Sequence, residues 1–96
     1  MASVSFLPAA QLDYDEALAW YAERSLRAAS GFEAAVERTI RQIADAPDRW
    51  PHLGERHRFH LVQRYPYYVV YRIEVGMIVV VAIAHGRRRL RYWKNR

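Results

Sequence analysis

The chain has 96 residues, of which 52% are hydrophobic, and a net charge of +5 from 15 basic and 10 acidic side chains. This length predicts one domain over residues 1–96, the apolar fraction argues against a disordered chain, and the absence of cysteine excludes disulfides and thiolate zinc sites. The N-terminus has no signal-peptide pattern, and the longest uncharged apolar stretch, residues 75–84, is half the ~20 residues of a membrane helix, so we expect a soluble, cytoplasmic protein.

A short strand and a helix are predicted at the start of the chain. Val4–Leu7 has the composition of a strand and is followed by Pro8, which suits the first turn of a helix because no N–H is needed there. Apolar residues at helical spacing then predict a helix over residues 9–24. Asp13 lies early in this helix with two other acids, where the helix dipole favours negative charge.

A second helix follows, with two possible starts. Ser25 can cap it, with Gly31 inside the helix, or Ser30 and Glu33 can form a capping box. We prefer Ser25 because the apolar stripe extends back beyond Gly31, and the glycine would then allow the two helices to approach closely. Pro47 ends the helix, and the short link between the helices predicts an antiparallel hairpin.

The apolar pattern changes to a period of two after the second helix, which predicts strands. Phe59 and Leu61 alternate with Arg58 and His60, as is typical of a half-buried strand. One face of the sheet is expected to carry the helical hairpin. We expect the other face to be partly open and bordered by Arg58, His60 and the C-terminal stretch.

Two further strands are predicted over residues 67–73 and 77–85. A tight turn joins them, in which Gly76 supplies a positive φ. The last strand is apolar on both faces, as expected of a central strand. The predicted fold is therefore an α+β domain of order β-α-α-β-β-β, with a helical hairpin packed on one face of a mostly antiparallel four-stranded sheet.

Charge is distributed unevenly along the chain. Residues 9–48 contain eight acids and four bases, a net charge of −4, whereas residues 49–96 contain two acids and eleven bases, a net charge of +9. The final eleven residues, 86–96, carry six positive charges, no negative charge and two aromatic rings. A surface of this kind attracts an acidic partner or a nucleic acid.

Few residues have the spacing of a known catalytic or metal site. The chain has no serine-histidine-aspartate pattern and no glycine-rich phosphate loop, and its four histidines lack the helical pairing of metal ligands, so we expect no metal and no cofactor. The alternative is a ribonuclease that works by charge stabilisation and proton transfer, without carboxylates. The residues of suitable type are Arg58, His60, His85, Arg87, Arg88 and Tyr92.

An ordered set of residues over nearly the whole chain resembles a known family. The set comprises Phe6, Ala17, Trp20-Tyr21, Ala28-Ala29, Phe32, Pro47, Trp50-Pro51, Arg58, Leu61, Arg64–Arg72, Ala82–Arg88 and Tyr92-Trp93. It is similar to the RelE/ParE superfamily of toxins from bacterial type II toxin–antitoxin systems, and most of all to the ParE-like, plasmid-stabilisation branch. The resemblance implies a cognate antitoxin whose acidic tail wraps the toxin.

The resemblance also implies one of two activities. RelE-like toxins cleave messenger RNA on the ribosome, and that pattern would use Arg58, His60, Arg88 and Tyr92 as catalytic residues. ParE-like toxins inhibit DNA gyrase and have no known hydrolytic centre. Tyr68 stands where the ribonuclease pattern has an arginine, which favours the ParE-like activity.

The leading hypothesis is thus a non-enzymatic inhibitor of DNA gyrase that an acidic antitoxin neutralises. The alternatives are a ribosome-dependent messenger RNA endoribonuclease and a degenerate toxin that only binds its antitoxin. In each case the residues expected to bind the target or the antitoxin are Arg58, His60, Arg64, His85, Arg87, Arg88, Arg89, Arg91, Tyr92 and Trp93.

Overall fold

A computed structural model describes residues 2–89 and 91–96. Its elements are β1 (Ser3–Phe6), α1 (Pro8–Arg24), α2 (Leu26–Asp45), β2 (Arg58–Val62), β3 (Tyr67–Glu74) and β4 (Met77–His85). The α+β fold and the order β-α-α-β-β-β are confirmed, and Gly76 has the predicted positive φ, at 68°.

The four strands form one mixed sheet in the order β1-β4-β3-β2. After β1 the chain passes through the two helices to the far edge of the sheet and returns by two antiparallel connections, β2 to β3 and β3 to β4. The last strand therefore runs parallel to β1, with Phe6 opposite Val80. The sheet is mostly antiparallel, as predicted, with this one parallel pair.

Ser25 both ends α1 and begins α2, which explains the tight helical hairpin. Its hydroxyl accepts a hydrogen bond of 2.9 Å from the backbone N–H of Ala28, and its backbone N–H donates to the carbonyl of Tyr21. The cap at Ser25 is thus confirmed over the capping box that would begin at Ser30.

Gly31 allows a close approach, but of a tyrosine and not of the other helix. A Cβ at this position would lie 2.7 Å from the hydroxyl oxygen of Tyr65. The tyrosine ring cannot easily move aside, because it packs edge-on against Phe32 and Tyr21, with ring centroids 5.5 and 5.4 Å apart. The expectation that Gly31 serves contact between the helices was therefore wrong.

The sheet carries a core on both faces. The helical hairpin covers one face, where Phe32, Val36 and Val80 belong to the same cluster of buried residues. A second cluster on the opposite face contains Val81 and Trp93 and is covered by the end of the chain. The prediction of a partly open second face holds at edge strand β2, where Leu61 is 62% exposed, but not over β4, because a central strand that is apolar on both sides must be shielded from water on both sides.

An irregularity in the pairing of β3 with β4 decides which β4 side chains reach each core. Val70 lies opposite Ala82 while Tyr71 lies opposite Val80, so Val81 is an extra residue. Side-chain alternation is therefore broken at this point. Beyond the extra residue, each β4 side chain points to the opposite face of the sheet from the one that regular alternation would give it.

We expect Gly31→Ala to lower the free energy of unfolding by about 1–3 kcal/mol, because the added methyl group collides with the Tyr65 hydroxyl in a packed aromatic cluster. Urea denaturation followed by circular dichroism measures this change. The matched control is Gly31→Ala combined with Tyr65→Phe, which removes the colliding oxygen and leaves the nearest ring carbon 4.0 Å away.

The double variant should be at least as stable as the wild type, since alanine is favoured over glycine inside a helix by about 1 kcal/mol. Equal destabilisation of the single and double variants would contradict the assigned role of Gly31.

Candidate functional site

The end of the chain is a folded segment and not a free tail. We call residues 86–89 and 91–96 the C-terminal segment. Successive backbone hydrogen bonds form turns along it, from Arg88 N–H to His85 O at 3.0 Å, from Lys94 N–H to Arg91 O at 2.9 Å, and from Arg96 N–H to Trp93 O at 3.0 Å. These turns carry the basic side chains on a defined path across the sheet.

Trp93 anchors this segment to the sheet. The residue is 2% exposed and packs in the second core with Val70, Ala82 and Ala84. Its ring meets the ring of His57 edge-on, with centroids 4.8 Å apart. Trp93 is therefore a core residue, and the expectation that it would present its ring to a partner is corrected by this burial.

Asp13 ties the segment to α1 and is only 7% exposed. Its carboxylate accepts hydrogen bonds from both terminal nitrogens of Arg96, at 2.6 and 3.2 Å, and from the hydroxyl of Tyr92 at 3.0 Å. Arg88 adds an ion pair at 3.7 Å. The Asp13 hydrogen bond also raises the pKa of Arg96, which stays protonated.

The same carboxylate completes the hydrogen bonding of β4. Strand β1 ends at Phe6, opposite Val80, so the last part of β4 has no neighbouring strand on that side. There the N–H of Ile83 donates to Asp13 at 3.2 Å, and the carbonyl of Val81 accepts from Arg96 at 3.1 Å. The ion pair thus replaces a missing strand, because buried backbone groups require partners.

The prediction that Asp13 interacts with the dipole of α1 is wrong. Because α1 begins at Pro8, no acid lies in its first turn, and Asp13 points inward. A signal was present in the sequence, since Ala10, Asp13 and Ala17 share the apolar face of the helix. A charged residue in an apolar stripe indicates a buried partner of opposite charge.

The arginines after β4 are exposed, in contrast to the aromatic residues that follow them. Arg87, Arg88, Arg89 and Arg91 all face solvent. The guanidinium of Arg88 also lies 3.8 Å from the centroid of the Tyr92 ring. Burial and the neighbouring Asp13 carboxylate raise the pKa of Tyr92, so its hydroxyl remains a proton donor near neutral pH.

Arg58 and His60 point toward the helical side of the sheet, opposite to the orientation expected. One terminal nitrogen of Arg58 donates to the carbonyls of Trp50 and Asp48, at 2.6 and 3.0 Å. The ring of His60 stacks on Trp50 at 3.5 Å, and its Nε2 lies 2.7 Å from Gln42 Oε1. The outward position falls instead to Leu61, which is 62% exposed.

This inversion has a physical cause. The loop after α2 folds back onto the edge of β2, so its carbonyl groups need donors on the helical side, and Arg58 supplies them. The alternating pattern alone does not show whether the polar or the apolar residues of β2 face the helices. Because β2 is an edge strand, its apolar residues can remain in contact with solvent.

The four residues of the ribonuclease pattern do not converge. Arg58 and His60 lie on edge strand β2 and face the helices, whereas Tyr92 packs against the second core. Two strand spacings, roughly 10 Å, separate β2 from β4. The side chains of Arg58, His60 and Tyr92 are also held by hydrogen bonds within the protein.

The remaining predicted residues lie at separate places. Arg64 is exposed in the turn after β2, where its φ is 75°. His85 ends β4 half-buried, with its ring edge-on to Tyr67 at 5.0 Å and its Nδ1 accepting the N–H of Arg87 at 3.0 Å. His85 therefore orients the start of the C-terminal segment.

A groove of about 370 Å³ lies between α1 and the end of β4. Its walls include Trp20, Tyr67 and His85, and its rim carries Glu16 and Arg88. Trp20 is 49% exposed, and Arg24 stacks on it at 3.3 Å. The fold therefore leaves half of Trp20 accessible at the wall of this groove.

Residues 2–89 and 91–96 contain no cluster suited to a metal ion and no helix suited to a membrane. No group of three or more histidine, aspartate or glutamate side chains in this part of the chain is placed to bind a metal ion. Neither helix there is long and apolar enough to cross a membrane.

We expect the domain to lose stability as the pH falls below about 6.5. Burial, followed by the charge of Arg49, lowers the pKa of His60, and burial, followed by Arg72 and Arg56, lowers that of His57. The unfolded chain, with histidine pKa values near 6.5, then binds more protons than the folded one, so stability rises with pH through this window and falls on acidification.

Urea denaturation at pH 7.5, 6.5 and 5.5 measures the effect. Replacing His60 by phenylalanine keeps a ring on Trp50 but removes the titrating group, so the decline on acidification should become smaller. A decline of the same size in His60→Phe and wild type would contradict the assignment to His60.

Comparison with known proteins agrees with this fold. The model of the ParE toxin of type II toxin–antitoxin system, parDE, matches residues 4–90. One solved structure, titled as the chromosomal ParDE toxin–antitoxin system from P. aeruginosa, has a TM-score of 0.70 and 17% sequence identity, covering 88% of this chain and 96% of that chain. No curated protein sequence matches. Because the family model spans nearly the whole chain, the protein belongs to the ParE toxin family of type II toxin–antitoxin systems.

Proposed function

We propose that this ParE-family toxin inhibits DNA gyrase by binding it and that an acidic antitoxin neutralises it. The observation that carries the proposal is the C-terminal segment, which presents Arg87, Arg88, Arg89 and Arg91 to solvent from a backbone pinned by Trp93. Cations held on a folded support lose little entropy when they bind, so they suit recognition of an acidic protein surface.

A non-enzymatic mode of action is supported by the state of the ribonuclease-type residues. Arg58 is committed to carbonyl groups of the preceding loop, and His60 is stacked on Trp50. At the third-strand position where the ribonuclease pattern has an arginine, Tyr68 packs edge-on against Phe59, with centroids 5.9 Å apart. Charge stabilisation of a scissile phosphate needs donors that converge on one point.

Binding of an acidic antitoxin is supported by the separation of charge on the surface. The two helices expose six acids beside four arginines, whereas the stretch after β4 exposes Arg87, Arg88, Arg89 and Arg91 and no acid. An acidic segment would be repelled by the first region and attracted to the second. Such steering speeds association and suppresses binding in the wrong orientation.

Purified protein should inhibit ATP-dependent supercoiling of relaxed plasmid by gyrase. Replacing Arg87, Arg89 and Arg91 together by glutamine should weaken inhibition roughly tenfold or more, a loss of about 1.4 kcal/mol of binding free energy. The matched control replaces Arg27, Arg38 and Arg41, exposed arginines of α2, by glutamine. The control removes the same charge from the helical side and should inhibit as the wild type does.

No inhibition by a large molar excess of wild-type protein would sink the gyrase proposal. Cleavage of ribosome-bound messages that disappears in Arg88→Ala would then identify the endoribonuclease alternative, which the stacking of Arg88 on Tyr92 favours. Expression with neither effect and without growth arrest would identify a toxin that only binds its antitoxin.

Association with the antitoxin encoded beside this gene should be strongly dependent on salt. Raising the ionic strength from 0.05 to 0.5 M should lower the association rate constant by roughly tenfold or more, because screening removes electrostatic steering. Stopped-flow measurement of the rate checks this, with the Arg87/Arg89/Arg91→Gln variant as the comparison. A rate that does not change with salt in the wild type would exclude the charge-based interaction.

A further inference from the structure

We propose that Asp13 is the positioning residue of the target-binding surface. It lies on the opposite side of α1 from solvent and touches no target itself, but its carboxylate determines where the C-terminal segment places its exposed cations. The inference rests on the proposed function where its test measures inhibition of gyrase. Its structural part, the fixing of the segment by Asp13, is tested separately.

One buried carboxylate joins three parts of the protein. It accepts from Arg96 and Tyr92 of the C-terminal segment, and from the N–H of Ile83 in β4, while belonging itself to α1. Arg96, which the carboxylate holds, also donates to the carbonyl of Val81. The carboxylate thus attaches the segment to both the helix and the sheet, and the carbonyl of Arg96 also accepts from Arg72 of β3 at 3.4 Å.

Trp93 also anchors the segment, but its contacts do not fix the orientation of the segment. Trp93 is buried by apolar contact, which is proportional to area and nearly indifferent to orientation. Its indole N–H finds no hydrogen-bond partner among residues 2–89 and 91–96. Charge-assisted hydrogen bonds at 2.6 and 3.2 Å, in contrast, set both the position and the angle of the Arg96 guanidinium.

Asp13 reaches the exposed surface through Arg88. This arginine lies 3.7 Å from the Asp13 carboxylate and 3.8 Å from the centroid of the Tyr92 ring, which Asp13 also holds. Half of its side chain remains accessible, at 49%. The buried carboxylate therefore positions an exposed cation both directly and through Tyr92.

The partners of Asp13 lie partly outside the region that the family model describes. That match ends at residue 90, whereas Tyr92 and Arg96 follow it. Family membership therefore does not specify how the end of this chain is held. The contacts of Asp13 do so.

The test uses Asp13→Asn, which keeps the size of the side chain and removes its charge. Asp15→Asn is the matched control, because it makes the same change two residues away on the exposed face, where Asp15 contacts Gln11 at 3.0 Å. Arg96→Gln removes the other partner, Arg96→Lys keeps its charge, and Arg41→Gln serves as the control on α2.

Three measurements separate positioning from general destabilisation. Hydrogen exchange of peptides from residues 86–96 should speed up in Asp13→Asn and Arg96→Gln, while peptides from β3 keep wild-type protection. With 5-fluorotryptophan incorporated, the ¹⁹F resonance of Trp93 should shift or broaden while those of Trp20 and Trp50 stay in place. Inhibition of gyrase supercoiling should weaken about tenfold in each single variant.

Because the two residues act through one contact, the double variant Asp13→Asn/Arg96→Gln should be no weaker than either single variant, and Arg96→Lys should recover part of the inhibition. The proposal would be overturned if the two single losses multiplied, so that the double variant inhibited about a hundredfold more weakly than the wild type. It would also be overturned if Asp13→Asn inhibited as strongly as Asp15→Asn. Loss of exchange protection throughout β3 in both Asp13→Asn and Arg96→Gln would also overturn it, since the contact would then support the whole domain.

Failure of the proposed function is distinguishable from failure of this inference. If wild-type protein does not inhibit gyrase, the proposed function is wrong, but hydrogen exchange and the Trp93 resonance still report whether Asp13 holds the segment. If the wild type inhibits and the segment stays fixed in Asp13→Asn, only the positioning role is wrong.

Discussion

The ion pair between Asp13 and Arg96 is the interaction on which the arrangement of the basic surface depends. An aspartate that is only 7% exposed requires a partner of opposite charge, and here one partner also satisfies a free carbonyl of β4. Removing one member of the pair leaves the other without its partner, which releases the segment that the pair holds. The end of the chain is thereby bound into the structure of its beginning.

The need for this pair arises from the different lengths of β1 and β4. Four residues form β1, and nine form β4. The longer strand is apolar on both faces and so must be covered on both, which the helical hairpin does on one side and Trp93 does on the other. Where β1 has ended, polar atoms of α1 and the C-terminal segment take its place. The same constraint that builds the core therefore places the basic segment beside it.

This arrangement explains how the acidic first half and the basic second half of the chain are placed in the fold. Seven of the eight acids of the first half are exposed, and the exception, Asp13, is the one that holds the basic end in place. The exposed acids of the first half and the exposed arginines after β4 thus lie on different parts of the surface. A partner that recognises the basic part would meet arginines whose backbone is already fixed, which lowers the entropy lost on binding.

The secondary structure was predictable from the sequence because its signals are local. Ser25 and Pro47 mark helix ends, Gly76 marks a turn, and the change of apolar period from helical to two marks the strands. The resemblance to the ParE-like toxins was also readable in the ordered residues and agrees with the family match over residues 4–90. The charge asymmetry is a property of the sequence alone.

Which side of an element each residue occupies was decided by tertiary structure. The alternation in β2 is equally compatible with Arg58 inward or outward, and only the carbonyl groups of the neighbouring loop select the inward phase. Gly31 admits Tyr65, which is 34 residues away and outside any local window. Asp13 and Arg96 are separated by 83 positions, and no periodic pattern links them. The sequence by itself thus determined the elements, the family and the charge, whereas contacts between distant residues decided how the basic end is held, because pairing of that kind depends on the geometry of the whole fold.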